Sequence, residues 1–159
     1  MPLEAGRAVC ARHDAEVHPP RRRGGLGDAG GLGVNGELPA AVPRHIATDE
    51  ELAAELGEVT VGLSAAAEWT TRVDALLRLQ GLVLGSAAQR PALPDLLLPL
   101  RDALAAQLQE RRSAVSRQAC HAVGLLAAAT GDRFEPLALA LLPALLRALA
   151  MGIQVRQPS

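Results

Sequence analysis

The sequence predicts an all-α chain of stacked helical hairpins, an α-solenoid of about two and a half repeats. Three observations predict it. From Thr48 onward, leucine, valine and alanine recur at three- and four-residue spacings, the mark of helices with one buried face. Leu52, Leu96 and Ala140 lie 44 residues apart in turn, as do Pro99 and Pro143. A period of about 40 to 47 residues fits units of two helices that bury their apolar faces only by stacking on neighbours.

The first helix opens at Thr48-Asp49-Glu50-Glu51, a capping box. There the threonine hydroxyl accepts the Glu51 amide, the Glu51 carboxylate reaches back, and three acids occupy the positive end of the helix dipole. Its inward positions are Leu52, Leu56, Val59 and Leu63. A second helix follows Trp69, with Val73, Leu76, Leu77, Val83 and Leu84 as its stripe, and stops near Gly85-Ser86. Residues 93–109 form the third, with Leu93, Leu96, Leu97, Leu100, Leu104 and Leu108 inward. Residues 113–129 pair with it through Val115, Ala119, Val123 and Leu126, and Thr130-Gly131-Asp132-Arg133 closes that unit. A fifth helix over 135–150 carries Pro136 in its tolerant first turn and is apolar almost all round. Pro99 and Pro143 fall inside the first helix of successive units, where a missing amide predicts a bend. The plan is HEAT-like.

Around this array the sequence changes character. Residues 1–43 are rich in Gly, Pro and Arg without apolar periodicity and are expected to form a flexible tail; residues 152–159 are expected to be a disordered end. Within the tail, GGLGDAGG is similar to the glycine-rich loop of glycogen and starch synthases. No apolar strand precedes it and no helix pattern follows, so it reads as low complexity, and the run Arg21 to Arg23 as a solvated charge cluster.

A 159-residue chain with 49% apolar residues, 21% charged residues and a net charge of −1 is that of a soluble globular domain, not of a nucleic-acid binder. All 16 cations are arginine, so an anionic partner would meet planar guanidinium forks. Cys10 and Cys120 fit no disulfide or metal spacing, and a reducing, intracellular setting is expected. No secretory apolar region follows Met1. The apolar run 137–146 is interrupted by Pro143 and ended by Arg147, short of the ~20 residues a bilayer span requires, so no membrane insertion is expected.

Catalytic chemistry finds no support. Cys120 and His121 are adjacent on a helix and point about 100° apart, so they cannot work as a pair, and Cys120 is expected to be a small core residue. No Ser/His/Asp set, carboxylate pair, metal cluster or phosphate loop stands out, and neither enzyme activity nor a cofactor or metal is expected. Arg72 and Arg117, early in the second helix of each unit, are expected to bridge neighbouring repeats, and Ser113 to cap its helix. Taken alone, Trp69 reads as a staple packed on the first hairpin.

Three segments carry a resemblance: EWTTRVDALLRLQGLVLGSA (68–87), QLQERRSAVSRQACHAVGLL (107–126) and FEPLALALLPALL (134–146). Together they resemble the N-terminal domain of the cytoplasmic linker-associated proteins, a family of TOG-type HEAT domains that act on microtubules. The likeness covers about residues 44–151 and is most specific in the middle segment. It implies a paddle of HEAT repeats whose short turns form an edge that meets tubulin, in the cytoplasm on the microtubule cytoskeleton. On that pattern Trp69 occupies the first turn, and Arg111, Arg112 and Ser113 the second, as tubulin-binding residues; other cytoskeletal proteins are further partners. Such a domain has about six repeats, so residues 44–151 are expected to form a partial one, with the region of Leu141, Leu142, Leu145 and Leu146 partly uncovered.

Overall fold

A computed structural model describes residues 38–154 of the chain. The readings of residues 1–37, including the glycine-rich stretch, Arg21 to Arg23 and Cys10, fall outside the described residues, as do residues 155–159.

The described residues form an all-α helical repeat. Helix α1 is Asp49–Gly62 and α2 is Trp69–Leu84; α3 is Leu93–Leu97 and α4 is Arg101–Leu108; α5 is Ser113–Thr130 and α6 is Glu135–Gln154. At the start of α1 the Glu51 amide donates to Thr48 Oγ1 at 3.1 Å, and Glu51 Oε2 accepts the Ala47 amide at 2.8 Å. The reciprocal cap therefore forms, with the carboxylate reaching one residue further back than the simplest box.

α1 pairs with α2, and α4 with α5. α2 packs on α5, and α4 on α6, so the hairpins stack in two layers: α1, α3–α4 and α6 in one, α2 and α5 in the other. The core lies between the layers, with Leu52, Leu63, Leu76, Leu104, Leu126 and Leu141 fully enclosed. α2 is enclosed on two sides, by α1 and by α5. Its buried set is therefore wider than a single stripe: Leu79 and Leu82 join it, while Leu84, expected inward, is 48% exposed.

The helix expected over 93–109 is broken. A turn of 3-10 helix at Leu98–Leu100 separates α3 from α4, because Pro99 has no amide to donate and its ring crowds the preceding turn. Pro143, one period later, sits at an exposed position within α6 and does not interrupt it.

Residues 38–47 have no regular structure and lie across α2 as a strap. The Arg44 amide donates to Gly81 O at 2.8 Å, the Ile46 amide donates to Ser86 Oγ at 2.6 Å, and Ser86 Oγ donates to Ile46 O at 3.1 Å. Backbone meets backbone so closely that a side chain at Gly81 would collide with the Val42 carbonyl, and one at Gly85 with the Arg44 carbonyl. Ion pairs pin the same region: Glu55 takes Arg78 at 2.7 Å and Arg44 at 3.4 Å, and Arg90 reaches Asp49 at 2.7 Å.

α6 is sided. Leu137, Leu141 and Ala144 are buried, whereas Leu139, Leu142, Leu146 and Leu149 are 47–65% exposed. The expected uncovered region is thus corrected at Leu141, which is enclosed, and extended to Leu139 and Leu149. The stretch Ser113–Met151 also holds an 18-residue window of mean hydropathy 1.6, apolar enough for a bilayer crossing, which the shorter run 137–146 did not indicate. The face of α6 that packs on α4 is nonetheless an ordinary protein core contact.

Candidate protein-binding edge

Two turns lie on one edge: that between α1 and α2, and that between α4 and α5. Trp69 is the first residue of α2. It is half-buried, packed against the core and not fully exposed, so it serves as the staple that its position predicts while showing part of the ring. The Arg112 guanidinium lies over that ring, 4.9 Å from its centroid, a cation–π contact between successive hairpins. Arg111 and Ser113 flank it, exposed.

Ser113 does not cap its helix. It is the first helical residue of α5, Arg112 stands at the cap position without a side-chain bond to the helix, and Ser113 O accepts from Ser116 Oγ at 3.4 Å. The turn is held by Glu110, which the sequence reading passed over. Glu110 Oε1 accepts the Arg112 amide at 3.3 Å and Glu110 Oε2 accepts Arg72 Nη1 at 2.6 Å. Arg72, foremost, and the Arg112 amide after it hold the Glu110 carboxyl below the usual carboxylate range. Arg72 also donates to Gln107 Oε1 at 3.5 Å, and Gln107 Nε2 donates to Leu63 O at 3.0 Å, which occupies a carbonyl at the end of α1. Arg72 therefore bridges repeats, as expected. The signal for its partners was a glutamine at a core position one turn before a glutamate.

Arg117 is exposed, beside a cavity of about 800 Å³ between α5 and α6 that is also lined by Leu38, Leu108, Arg111, Cys120 and Met151. Cys120 corrects an expectation: it is exposed at this cavity and not in the core, although partial burial still pushes its thiol up. His121 Nδ1 instead meets Gln80 Oε1 at 3.0 Å. Among the described residues no group of three His, Cys, Asp or Glu side chains is placed to hold a metal.

Stacked two-helix units with their intra-hairpin turns along one side define a helical-repeat domain. Residues 53–154 match the family described as CLASP N terminal, and the chain belongs to that family. It is similar to a CLIP-associated protein of Arabidopsis thaliana, 31% identical over 113 residues, which are 71% of this chain and 8% of that protein. An uncharacterized protein of Dictyostelium discoideum is 38% identical over 80 residues, 50% of this chain and 10% of that one. The chain thus spans about a tenth of the length of these relatives.

Proposed function

We propose that the chain is a non-catalytic module that binds tubulin or the microtubule lattice through the edge formed by Trp69, Arg111, Arg112 and Ser113, and so stabilises or regulates microtubules in the cytoplasm. The observation that carries the reading is the direct contact of Trp69 with Arg112, which joins the turns of two successive hairpins into one surface. Membership of the CLASP N-terminal family supports it. So does the chemistry. An indole offers large apolar area with few torsions, and guanidinium forks suit an acidic surface such as that of tubulin.

Binding should weaken as salt rises, because exposed charges are screened. In co-sedimentation with microtubules, Trp69→Ala and the double change Arg111→Glu with Arg112→Glu should each reduce pelleting while helicity by circular dichroism is retained. Normal pelleting of both variants would sink the edge. A second reading, a repeat scaffold for other proteins, is favoured by the exposed leucines of α6. Free tubulin that fails to displace such a partner would support it.

A further inference from the structure

The four edge residues leave unexplained how turns from different hairpins keep a fixed relation. Exposed arginines are mobile, and a contact surface that orders only on binding loses affinity to that ordering. Here a closed circuit of side chains runs between the turns. It passes from Leu63 O to Gln107, from Gln107 to Arg72, from Arg72 to Glu110, and from Glu110 to the Arg112 amide. It then returns through the Arg112 guanidinium to Trp69, three residues before Arg72 on the same helix. Glu110 is the acidic member of an otherwise basic turn, and its two oxygens serve two different partners. The Arg72 and Glu110 side chains are 16% and 27% exposed, sheltered enough that their bond is not an ordinary surface pair.

We infer that Glu110 is the positioning residue of the edge: by joining Arg72 of α2 to the backbone of the second turn, it holds Arg112 over Trp69 and presents both turns as one preformed surface. This rests on the tubulin-binding reading for its purpose, but not for its geometry. A negative charge beside Arg111 and Arg112 would by itself oppose binding to an acidic partner, so removing it should strengthen attraction if Glu110 had no positioning role. The inference requires the opposite sign.

Trp69 is the chain's single tryptophan, so its fluorescence reports the circuit without tubulin present. In the full chain, Glu110→Gln should bring Trp69 emission and acrylamide quenching to the values given by Arg112→Gln, with helicity unchanged. The same variant should weaken microtubule binding about three- to ten-fold, the size of one lost oriented contact. Glu110→Asp, which keeps the charge but is one methylene too short to reach both partners, should behave likewise and serves if the glutamine variant folds poorly. Wild-type fluorescence in folded Glu110 variants would overturn the inference, as would tighter microtubule binding. Fluorescence that shifts as expected while Trp69→Ala pellets normally would uphold the positioning and overturn the tubulin reading instead.

Discussion

The outer helices of the stack, α1 and α6, occupy equivalent places and are finished differently. α1 turns Glu50, Ala53, Ala54, Gly57 and Glu58 outward, with Val61 as the large apolar exception, and the strap, Glu55 and Arg90 knit its end to α2. α6 presents Leu139, Leu142, Leu146 and Leu149 at spacings of three, four and three, close to the 3.5-residue repeat of a helix–helix seam. Repeat arrays stay soluble by giving their terminal units a polar outer face. The α1 end obeys that rule; the α6 end offers a face suited to another helix.

Substitutions can test the contrast. Leu141→Ala removes a fully enclosed side chain from the α6–α4 contact and should cost about 2–5 kcal/mol in chemical denaturation, where Leu142→Ala, one residue on, should cost far less. Equal losses would mean that α6 is not sided as described. At the other end, Gly85→Ala places a methyl group against the Arg44 carbonyl and should cost about 1–3 kcal/mol, with early hydrogen exchange at the Arg44 amide. A variant as stable as the wild type would show that the strap does not lie there. Changing Leu142 and Leu146 together to glutamine should leave stability within about 0.5 kcal/mol per site while reducing self-association in sedimentation velocity. Unaltered sedimentation would remove the seam from consideration.

The smallest effect is expected from pH. Arg78, before all other causes, lowers the pKa of Glu55, and Arg72 that of Glu110. A carboxylate whose folded pKa is depressed contributes stability in full above its unfolded pKa and loses it as pH falls through the folded value. Thermal stability should therefore stay level with respect to these groups down to about 4.5 and decline below it. Replacing Glu55 and Glu110 by glutamine should flatten that acid limb, and an unflattened limb would place the relevant carboxylates elsewhere.

Much of the fold was legible because it is local. The Thr48 cap and the face of α1 follow from residues within a few turns of one another, and the 44-residue period is a pattern of the sequence itself. The errors come from contacts between segments distant in sequence. Leu84 and Leu79 exchanged places because α2 has two neighbours, and periodicity resolves only one face. Cys120 is small and apolar, but its side of α5 borders the cavity between α5 and α6 and stays exposed. For the edge, residue type placed Trp69 and Arg112 on successive turns, yet nothing in the spacing revealed that they touch, or that Glu110 reaches Arg72 across 38 residues.

The strap has a bearing on the order of assembly. Hydrogen bonds between the hairpins join residues 35 to 45 apart, whereas Gln118 Nε2 to Pro39 O, at 3.4 Å, closes a loop of 79. Each doubling of loop length adds only about 0.6 kcal/mol of closure entropy, but this one bond of the strap forms only where α2 and α5 already lie side by side, whereas its Arg44 and Ile46 bonds need the first hairpin alone. Only the Pro39 end is a latch between hairpins. On warming, that end should loosen as soon as the two hairpins part, while the Arg44 and Ile46 bonds hold for as long as the first hairpin does.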